Sequence, residues 1–591
     1  MNRDSIQKFI NLELSAVTED FGKKFSASAV YLYNDLEELF VGQFVKFEDG
    51  NMIVTFKTSR AFPRKGEYLQ AFYLPQSLQN LKSWVNKSYG DLYANRIKGT
   101  EVVCIWQSKA REDGKVLLGF RGVDIAFANF IKDTPGALII FGPHQPPIDY
   151  LANLYRLSQD QSSRSVADIL DYSYTPILNN PLLIKDNNAV EFIYRQIDSS
   201  PVTILQGPPG TGKTQLIAEL CTRLCKEGKS VLVTALTNRA LIEIAAKPAG
   251  RKLLEENRIF KTNLTVDEQK ELPQIELMRQ LTPIQGGLVL STYYIVSGFA
   301  ADLAGEDAFD VVIMDEASQA ILPMFAASCK IGKTNLWVGD NAQLGPVITL
   351  NDDRVKTNGF SDFVEGMLTL TTKRQYPLYQ LTKTYRLPQR SAGYTGIFYR
   401  GTLVSGKKDS ISRLNSLNRI LNPNGGPTLV LTDMAISDTS PVFAIDMATY
   451  LVYSILQEQP KTDIAVLTCL RKTTRALQKA IALRLGLGNK VLIETIARVQ
   501  GLTTDITIFF IPNTSLIRSL ESRLFNVATS RAKSHTIIIA DKNILSFAYM
   551  NRDVRTFLEK LSKESCMYIP ARDMRNSLHL ADFSETKDYG I

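Results

Sequence analysis
A chain of 591 residues is long enough for three or four domains, and its 45% apolar and 22% charged residues exclude a fibrous, disordered or membrane-embedded protein. A net charge of +8 is mild for this length and permits a nucleic-acid partner without demanding one. No stretch reaches the roughly 18 apolar residues of a membrane span, and Met1-Asn2-Arg3-Asp4 lacks a signal peptide's apolar core, so a cytoplasmic protein is expected, or a nuclear one if the source has a nucleus.

In chain order, residues 4–20 predict a helix, with Asp4 or Ser5 as cap and Ile6, Phe9, Ile10, Leu14 and Val17 on one face. From Leu39 the apolar period becomes two. Phe40–Phe47 and Met52–Lys57 flank Asp49-Gly50-Asn51, a hairpin signal. A second hairpin is expected from Glu101 to Gly122, turning at Asp113-Gly114, with a further strand at Tyr68–Leu74. These strands predict a small barrel-like β-domain over residues 35–145. Ile148, Leu151, Leu154 and Tyr155 predict a helix after Pro146-Pro147, and the polar run Ser158–Ser165 reads as a linker. Short buried-type strands then alternate with helices: Val202–Leu205, Val231–Ala235, Leu288–Leu290, Val311–Met314 and Leu336–Val338. A second such set comprises Thr428–Leu431, Ile464–Leu467, Val491–Ile493, Ile506–Ile511 and Thr536–Ala540, after an irregular loop at 404–427. The six cysteines are expected to be reduced core residues; Cys221 and Cys225 lie one helical turn apart, but no second pair completes a zinc set.

Chemistry concentrates at Gly207-Pro208-Pro209-Gly210-Thr211-Gly212-Lys213-Thr214, which has the glycine and Gly-Lys-Thr spacing of a phosphate-cradling loop. Glycines let backbone N–H groups turn inward onto phosphate oxygens. The strand before it and the helix after it, with Leu216, Ile217, Leu220 and Leu224 at helical spacing, place the phosphates at a helix N-terminus. Lys213 would reach the β and γ phosphates, and the Thr214 hydroxyl would hold a magnesium ion. Asp315-Glu316 closes the strand Val311–Met314. Beside a phosphate loop, Asp315 would orient magnesium through water and Glu316 would activate the attacking water. Gly339-Asp340-Asn341-Ala342-Gln343-Leu344-Gly345-Pro346 follows another apolar strand; Gln343 could report the γ-phosphate, although Gly-Asp-Asn alone is ordinary turn chemistry. A nucleoside triphosphate site with magnesium is therefore expected.

Together, Gly207–Thr214, Asp315-Glu316-Ala317-Ser318-Gln319 and Gly339–Pro346 resemble motifs I, II and III of the superfamily 1 helicases. The Asp-Glu-Ala-Ser-Gln form resembles the 5′-to-3′ branch, superfamily 1B, which holds the Upf-type helicases of nonsense-mediated decay and the Sen-type helicases of transcription termination. Further matches follow in order. Ala235-Leu236-Thr237-Asn238 is similar to motif Ia, and Ser291-Thr292 to the next backbone-contacting motif. Thr384-Tyr385-Arg386, Phe398-Tyr399-Arg400-Gly401, Val499-Gln500-Gly501 (motif V) and Phe525–Ala532 (motif VI) complete the resemblance, which covers residues 180–545. It implies an α/β fold of two RecA-like parallel-sheet domains around one ATP cleft, with the small β-barrel carried on helical stalks. The implied divisions are a stalk at 1–34, the barrel at 35–145, a helix and linker at 146–165, RecA-like domains at 166–375 and 376–550, and a C-terminal helix and tail at 551–591. Tyr385 would stack on adenine, and Arg386 and Arg531, both in the second domain, would reach the γ-phosphate across the cleft. Thr237, Asn238, Thr292, Thr468 and Thr495 would contact the phosphates of a single strand of DNA or RNA, with Arg239, Arg471, Lys472, Arg475 and Arg498 beside them.

The chain departs from the family at defined points. No glutamine stands in register near Lys185–Val190 to read adenine, Thr503 replaces the glutamate after Gln500-Gly501, and Thr468-Cys469-Leu470 stands where Thr-Pro-aromatic is usual. Three readings share these motifs: a 5′-to-3′ helicase driven by Mg-ATP, a translocase that clears proteins from a strand, and a nucleic-acid-sensing ATPase switch.

Overall fold
Alternating side chains along the first strands close them into a barrel. The computed structural model describes residues 3–64, 66–108, 111, 113–185, 188–407, 411, 414–485, 491–499 and 501–571. The barrel strands are β1 (Phe40–Glu48), β2 (Asn51–Lys57), β3 (Tyr68–Tyr73), β4 (Lys98–Gln107), β5 (Lys115–Arg121) and β6 (Leu138–Pro143), in the closed order β1-β2-β5-β4-β3-β6. Phe44, Val54, Phe56, Leu118, Phe120 and Phe141 form its core, with the Phe120 and Phe141 rings stacked at 4.6 Å. Asp49 and Gly50 both have positive φ, the conformation a tight hairpin of the right twist requires. Both expected hairpins are present. The sequence reading misses β6 because Leu138–Phe141 is an unbroken apolar run with no period to mark it.

The helices Arg3–Ser26 and Ile148–Gln159 carry the barrel. Ile6, Phe9, Ile10 and Val17 on the first, and Leu151, Leu154 and Leu157 on the second, bury in the same core as the first α/β sheet. The Phe9 ring lies 5.5 Å from that of Phe360. Glu13 sits on this face as a buried carboxylate, accepting the N–H of Thr349 at 2.6 Å and of Leu350 at 2.9 Å. Burial of the charge is tolerated because both oxygens are hydrogen-bonded. The run Ser158–Ser165, expected as a linker, is mostly folded. The helix continues to Gln159, and the Ser163 hydroxyl accepts from Val166 N at 3.1 Å to cap the helix Arg164–Leu170. Its polar residues serve as caps.

The first α/β sheet contains β7 (Leu182–Ile184), β8 (Val202–Gln206), β9 (Val231–Ala235), β10 (Ile259–Lys261), β11 (Glu276–Leu277), β12 (Leu288–Thr292), β13 (Phe309–Met314), β14 (Gly332–Gly339) and β15 (Leu378–Leu381). All pair in parallel, in the order β11-β10-β12-β9-β13-β14-β8-β15-β7. Because β15 lies between β8 and β7, the boundary expected at 375/376 moves beyond Leu381. A two-stranded pair, β16 (Lys383–Thr384) and β17 (Val404–Ser405), follows, so the segment 404–427 is not wholly irregular. The second sheet, β18 (Gly426–Thr432), β19 (Ile464–Thr468), β20 (Leu492–Thr495), β21 (Thr504–Ile511), β22 (Ala532–Asp541) and β23 (Cys566–Tyr568), has the order β20-β19-β21-β22-β18-β23. The helix Arg552–Glu564 buries Phe557, Leu558 and Leu561 in that sheet's core, and β23 pairs with β18. Residues 551–569 are therefore part of the second unit; the expected tail at 572–591 lies outside the described residues. The architecture is two RecA-like parallel sheets and an N-terminal barrel on helical stalks, as the motifs imply. None of the six cysteines forms a disulfide, and four of them are buried. No helix among the described residues is long and apolar enough to cross a membrane.

Candidate nucleotide site and nucleic-acid interface
The phosphate loop joins β8 to the helix Lys213–Lys226. Gly210 and Gly212 have φ of +71° and +83°, which residues with a side chain rarely adopt. Gly207 has no room for one either: a Cβ there would lie 2.3 Å from Lys213 Cγ. Lys213 folds over the loop, its Nζ donating to the Gly207 carbonyl at 2.6 Å, and the Thr211 hydroxyl donates to the Pro208 carbonyl at 2.8 Å. Thr214 follows in the first turn of the helix. Gly207 N donates to the Gly339 carbonyl at 2.9 Å, tying the loop to the end of β14.

Asp315-Glu316 ends β13, which only β14 separates from β8. Asp315 is buried, and its Oδ1 accepts from Glu316 N at 2.9 Å. Burial, then the neighbouring Glu316 carboxylate, push its pKa up to about 7, against the pull of Lys213. Glu316 has φ of +53°, a strained position for a residue with a side chain. Thr214 and Asp315 supply only oxygen donors, the hard ligands magnesium takes, and a triphosphate and water would supply the rest. The residues present thus fit a magnesium ion that arrives with its nucleotide. No cluster of three or more His, Cys, Asp or Glu makes an all-protein cage among the described residues.

Gln343 is buried on the same face. Its Nε2 donates to Asp340 Oδ2, and its Oε1 accepts from Arg531 Nη2 at 2.7 Å. Asp340 also accepts from Tyr399 Oη at 2.6 Å and from Gln206 Nε2 at 3.1 Å, and burial raises its pKa. Tyr399 Oη in turn accepts from Asn526 Nδ2 at 3.0 Å. This knot joins both α/β units, and the sequence reading misses its centre because Gly-Asp-Asn reads as a turn. Arg531, from the second unit, is 1% exposed; burial brings its pKa down to about 10. Arg386 is brought down to about 9, by burial and by the Arg531 charge. Among the described residues neither guanidinium has a carboxylate ion-pair partner.

The position expected for Arg386 needs correction. Tyr385 N donates to the Gly210 carbonyl at 2.8 Å, and the Thr384 hydroxyl donates to the Pro209 carbonyl at 2.8 Å. A Cβ on Gly210 would lie 2.3 Å from Arg386 Cβ. Arg386 therefore flanks the phosphate loop from the first unit's side and reaches the Ser530 carbonyl of the second at 3.4 Å. The reason is β15, which keeps the chain in the first sheet up to Leu381. Arg531 is the arginine that comes from across the cleft. Tyr385 is 57% exposed, and Lys383 Nζ lies over its ring, 5.6 Å from the centroid.

The expected strand contacts all lie at C-terminal strand ends, but at different depths. Thr237 is exposed, and Asn238 and Thr495 are half-buried. Thr292 and Thr468 are buried, and the Thr468 hydroxyl, at 0% exposure, has no partner. The surface thus offers Thr237, Asn238 and Thr495 and withholds Thr292 and Thr468. Thr495 Oγ1 donates to Glu494 Oε1 at 3.2 Å. A cleft of about 630 Å³ runs between the first helix (Lys24), the barrel (Arg64, Tyr68) and the second unit (Arg471, Arg475, Thr495, Arg498). Arg498 Nη1 closes one side by donating to the Gly66 carbonyl at 3.1 Å. Nothing in the sequence marks Arg64 or Tyr68, whose role depends on where the barrel docks. Gln500 and Asn187 lie outside the described residues.

Two family models, each described as an AAA domain, match residues 182–281 and 365–543. The DNA replication ATP-dependent helicase/nuclease DNA2 of Saccharomyces cerevisiae is 24% identical over 440 residues, which are 68% of this chain and 28% of that protein. The Regulator of nonsense transcripts 1 homolog of Arabidopsis thaliana is 28% identical over 259 residues, 37% of this chain and 20% of that protein. The chain thus spans about a quarter of the length of these curated relatives. A crystal structure of Arterivirus nonstructural protein 10 (helicase) aligns over 87% of this chain and 79% of its own, at 14% identity and a TM-score of 0.35.

Proposed function
We propose that the chain is a superfamily 1B helicase, a P-loop NTP hydrolase, and that it moves 5′-to-3′ on single-stranded DNA or RNA, driven by ATP, and acts at duplex junctions. One observation carries the proposal. Arg386 is half-buried and Arg531 buried, close enough for the charge of one to depress the pKa of the other; no carboxylate among the described residues forms an ion pair with either, and Glu316 acts on both only from a distance. Two like charges this close repel, and an anion entering between them relieves that repulsion. The γ-phosphate, held by Lys213 on the facing loop, is that anion. Closure of the cleft on ATP satisfies both arginines, and hydrolysis removes the reason for closure.

The other residues follow from their places. Backbone N–H groups of Gly207–Thr214 cradle the phosphates, and Lys213 neutralises the transferred group. Thr214 and Asp315 would hold magnesium, which supplies charge neutralisation on the β and γ oxygens when bound. Glu316 takes the proton of the attacking water. Gln343, bonded to Arg531, ties the first unit's sensor loop to the second unit, and Tyr385 offers its ring to the base. Thr237, Asn238 and Thr495 hold strand phosphates, which positions the strand without reading bases. The arginines of the cleft add charge. This reading places the chain in the cytoplasm, or in a nucleus where there is one.

Tailed duplexes test the proposal. With ATP and magnesium, the protein should displace the strand of a 5′-tailed duplex and leave a 3′-tailed one intact, and Lys213→Ala should displace neither. Strand-stimulated ATP hydrolysis with no displacement on either duplex would replace the helicase by the translocase or the switch. The yeast relative's name makes DNA the first substrate to try, with matched RNA beside it.

A further inference from the structure
We propose that Lys261 is a positioning residue that turns the amide of Asn238 so that its N–H groups, and not its carbonyl, face a strand phosphate; the inference rests on the strand-binding reading above. Asn238 opens the helix Asn238–Ala245 directly after β9, and Thr237 caps it, its hydroxyl accepting from Ala240 N at 3.3 Å. An asparagine can present either end of its amide, but a phosphate oxygen only accepts. Turned the wrong way, Asn238 would repel the ligand.

Lys261 removes that freedom. Its Nζ donates to Asn238 Oδ1 at 2.8 Å, to Glu268 Oε2 at 3.0 Å and to the Asn263 carbonyl. An ammonium has three protons, and all three are committed. The Lys261 and Glu268 side chains are 1% and 8% exposed, so neither can swing into solvent without leaving the other's charge buried and alone. With Oδ1 engaged, Nδ2 is the part of Asn238 left to meet a ligand.

The pair is itself anchored. Glu268 Oε2 also accepts from Thr265 N at 3.0 Å and so caps the helix Val266–Glu271, which touches the barrel. Val266 N donates to the Val123 carbonyl at 2.9 Å, and Gly122 N donates to Asp267 Oδ1 at 3.1 Å. A side chain at Gly50 would press on Asp267 Cα at 2.8 Å. Barrel, capped helix, ion pair and Asn238 thus form one chain of contacts, which fixes the amide more firmly than a surface lysine could.

The test uses the full chain and a fluorescent oligothymidylate. Lys261→Met/Glu268→Gln removes both buried charges while the glutamine can still accept from Thr265 N. It should bind about tenfold more weakly, the worth of one hydrogen bond to a charged group. The slope of log affinity against log salt should stay the same, because a neutral amide displaces no counterion from the phosphate. Asn238→Ala should do the same in the wild-type background and nothing further in the double-variant background, because both changes remove one contact. Additive losses would overturn the proposal. If the double variant does not fold, Asn238→Asp decides: it keeps a partner for Lys261 but has no N–H to give. It should bind more weakly than Asn238→Ala, and wild-type affinity in that variant would overturn the proposal. A wild-type chain that binds no oligothymidylate even at low salt would remove the strand-binding reading itself, and this inference with it; binding by wild type with additive variants removes the inference alone.

Discussion
Arg531 does two things at once, and its substitution should show both. As the group that meets charge developing on the γ-phosphate, it is expected to be worth about 10³- to 10⁵-fold in turnover. Arg531→Ala should lose that much in single-turnover ATP hydrolysis while strand binding stays nearly intact. Lysine should rescue poorly, since it lacks the planar fork that reaches Gln343 and Val527 together. Hydrolysis within about tenfold of wild type would sink the cross-cleft role. Glu316→Gln should still bind Mg-ATP and stall; normal turnover would show that another group takes the water's proton. Base choice is a third prediction. Asn188 Oδ1 accepts from Glu191 N at 3.2 Å as a helix cap, which holds its amide at the helix start. Stacking on Tyr385 tolerates either purine. ATP and GTP should therefore compete almost equally, and a strong ATP preference in competition assays would point to a reader elsewhere, such as Asn187. The places of Lys213, Asp315 and Glu316, on the loop after β8 and at the end of β13, were legible in the sequence because local spacing sets them. Arg386 was misplaced, and Thr292 and Thr468 were taken for surface groups, because depth and side are set by strands far away in the chain.

The first helix is the element with most to lose. Phe9 packs between Phe360 and Phe363, with centroids at 5.5 and 6.1 Å. Phe9→Ala should cost about 3–5 kcal/mol, seen as a lower melting temperature of the first α/β unit as well as of the stalk, because they share one core. Separate transitions, with the first unit unmoved, would contradict that sharing. Glu13→Ala leaves the N–H of buried Leu350 unsatisfied, while that of exposed Thr349 can turn to water, so it should cost about 1–3 kcal/mol. Element identity was legible wherever a period was present, as in both barrel hairpins and the helix at Ile148. β6, β7, β10 and β15 were not, since three to six residues without a clear pattern become strands only through the neighbours that pair with them.

For the whole molecule, the expectation is electrostatic and mechanical together. The cleft gathers Arg64, Arg471, Arg475 and Arg498 from two units, beside the carboxylates of Asp20, Glu37, Glu38, Glu67 and Glu494. Strand affinity should fall with added salt, by a slope of about 0.7 for each phosphate neutralised. Deleting residues 35–145 removes one wall of the cleft and the partner of Arg498 at Gly66. That deletion, if folded, should weaken strand affinity and abolish strand-stimulated ATP hydrolysis; unchanged affinity and stimulation would take the barrel off the strand's path.

The Glu13 contacts bear also on how the chain is made. Its partner Thr349 lies 336 residues further along. At a synthesis rate of about 5–20 residues per second, the first helix waits roughly 17–70 s for the surface that covers it. The barrel strands, complete by Pro143, can close long before then. A ribosome in mid-synthesis therefore carries a folded barrel behind a bare helix with Ile6, Phe9 and Ile10 uncovered. That helix is a ready target for chaperones and proteases until the first sheet is finished. Slower translation lengthens the exposure, so yield should depend on what shelters the nascent helix more than on the stability of the finished fold.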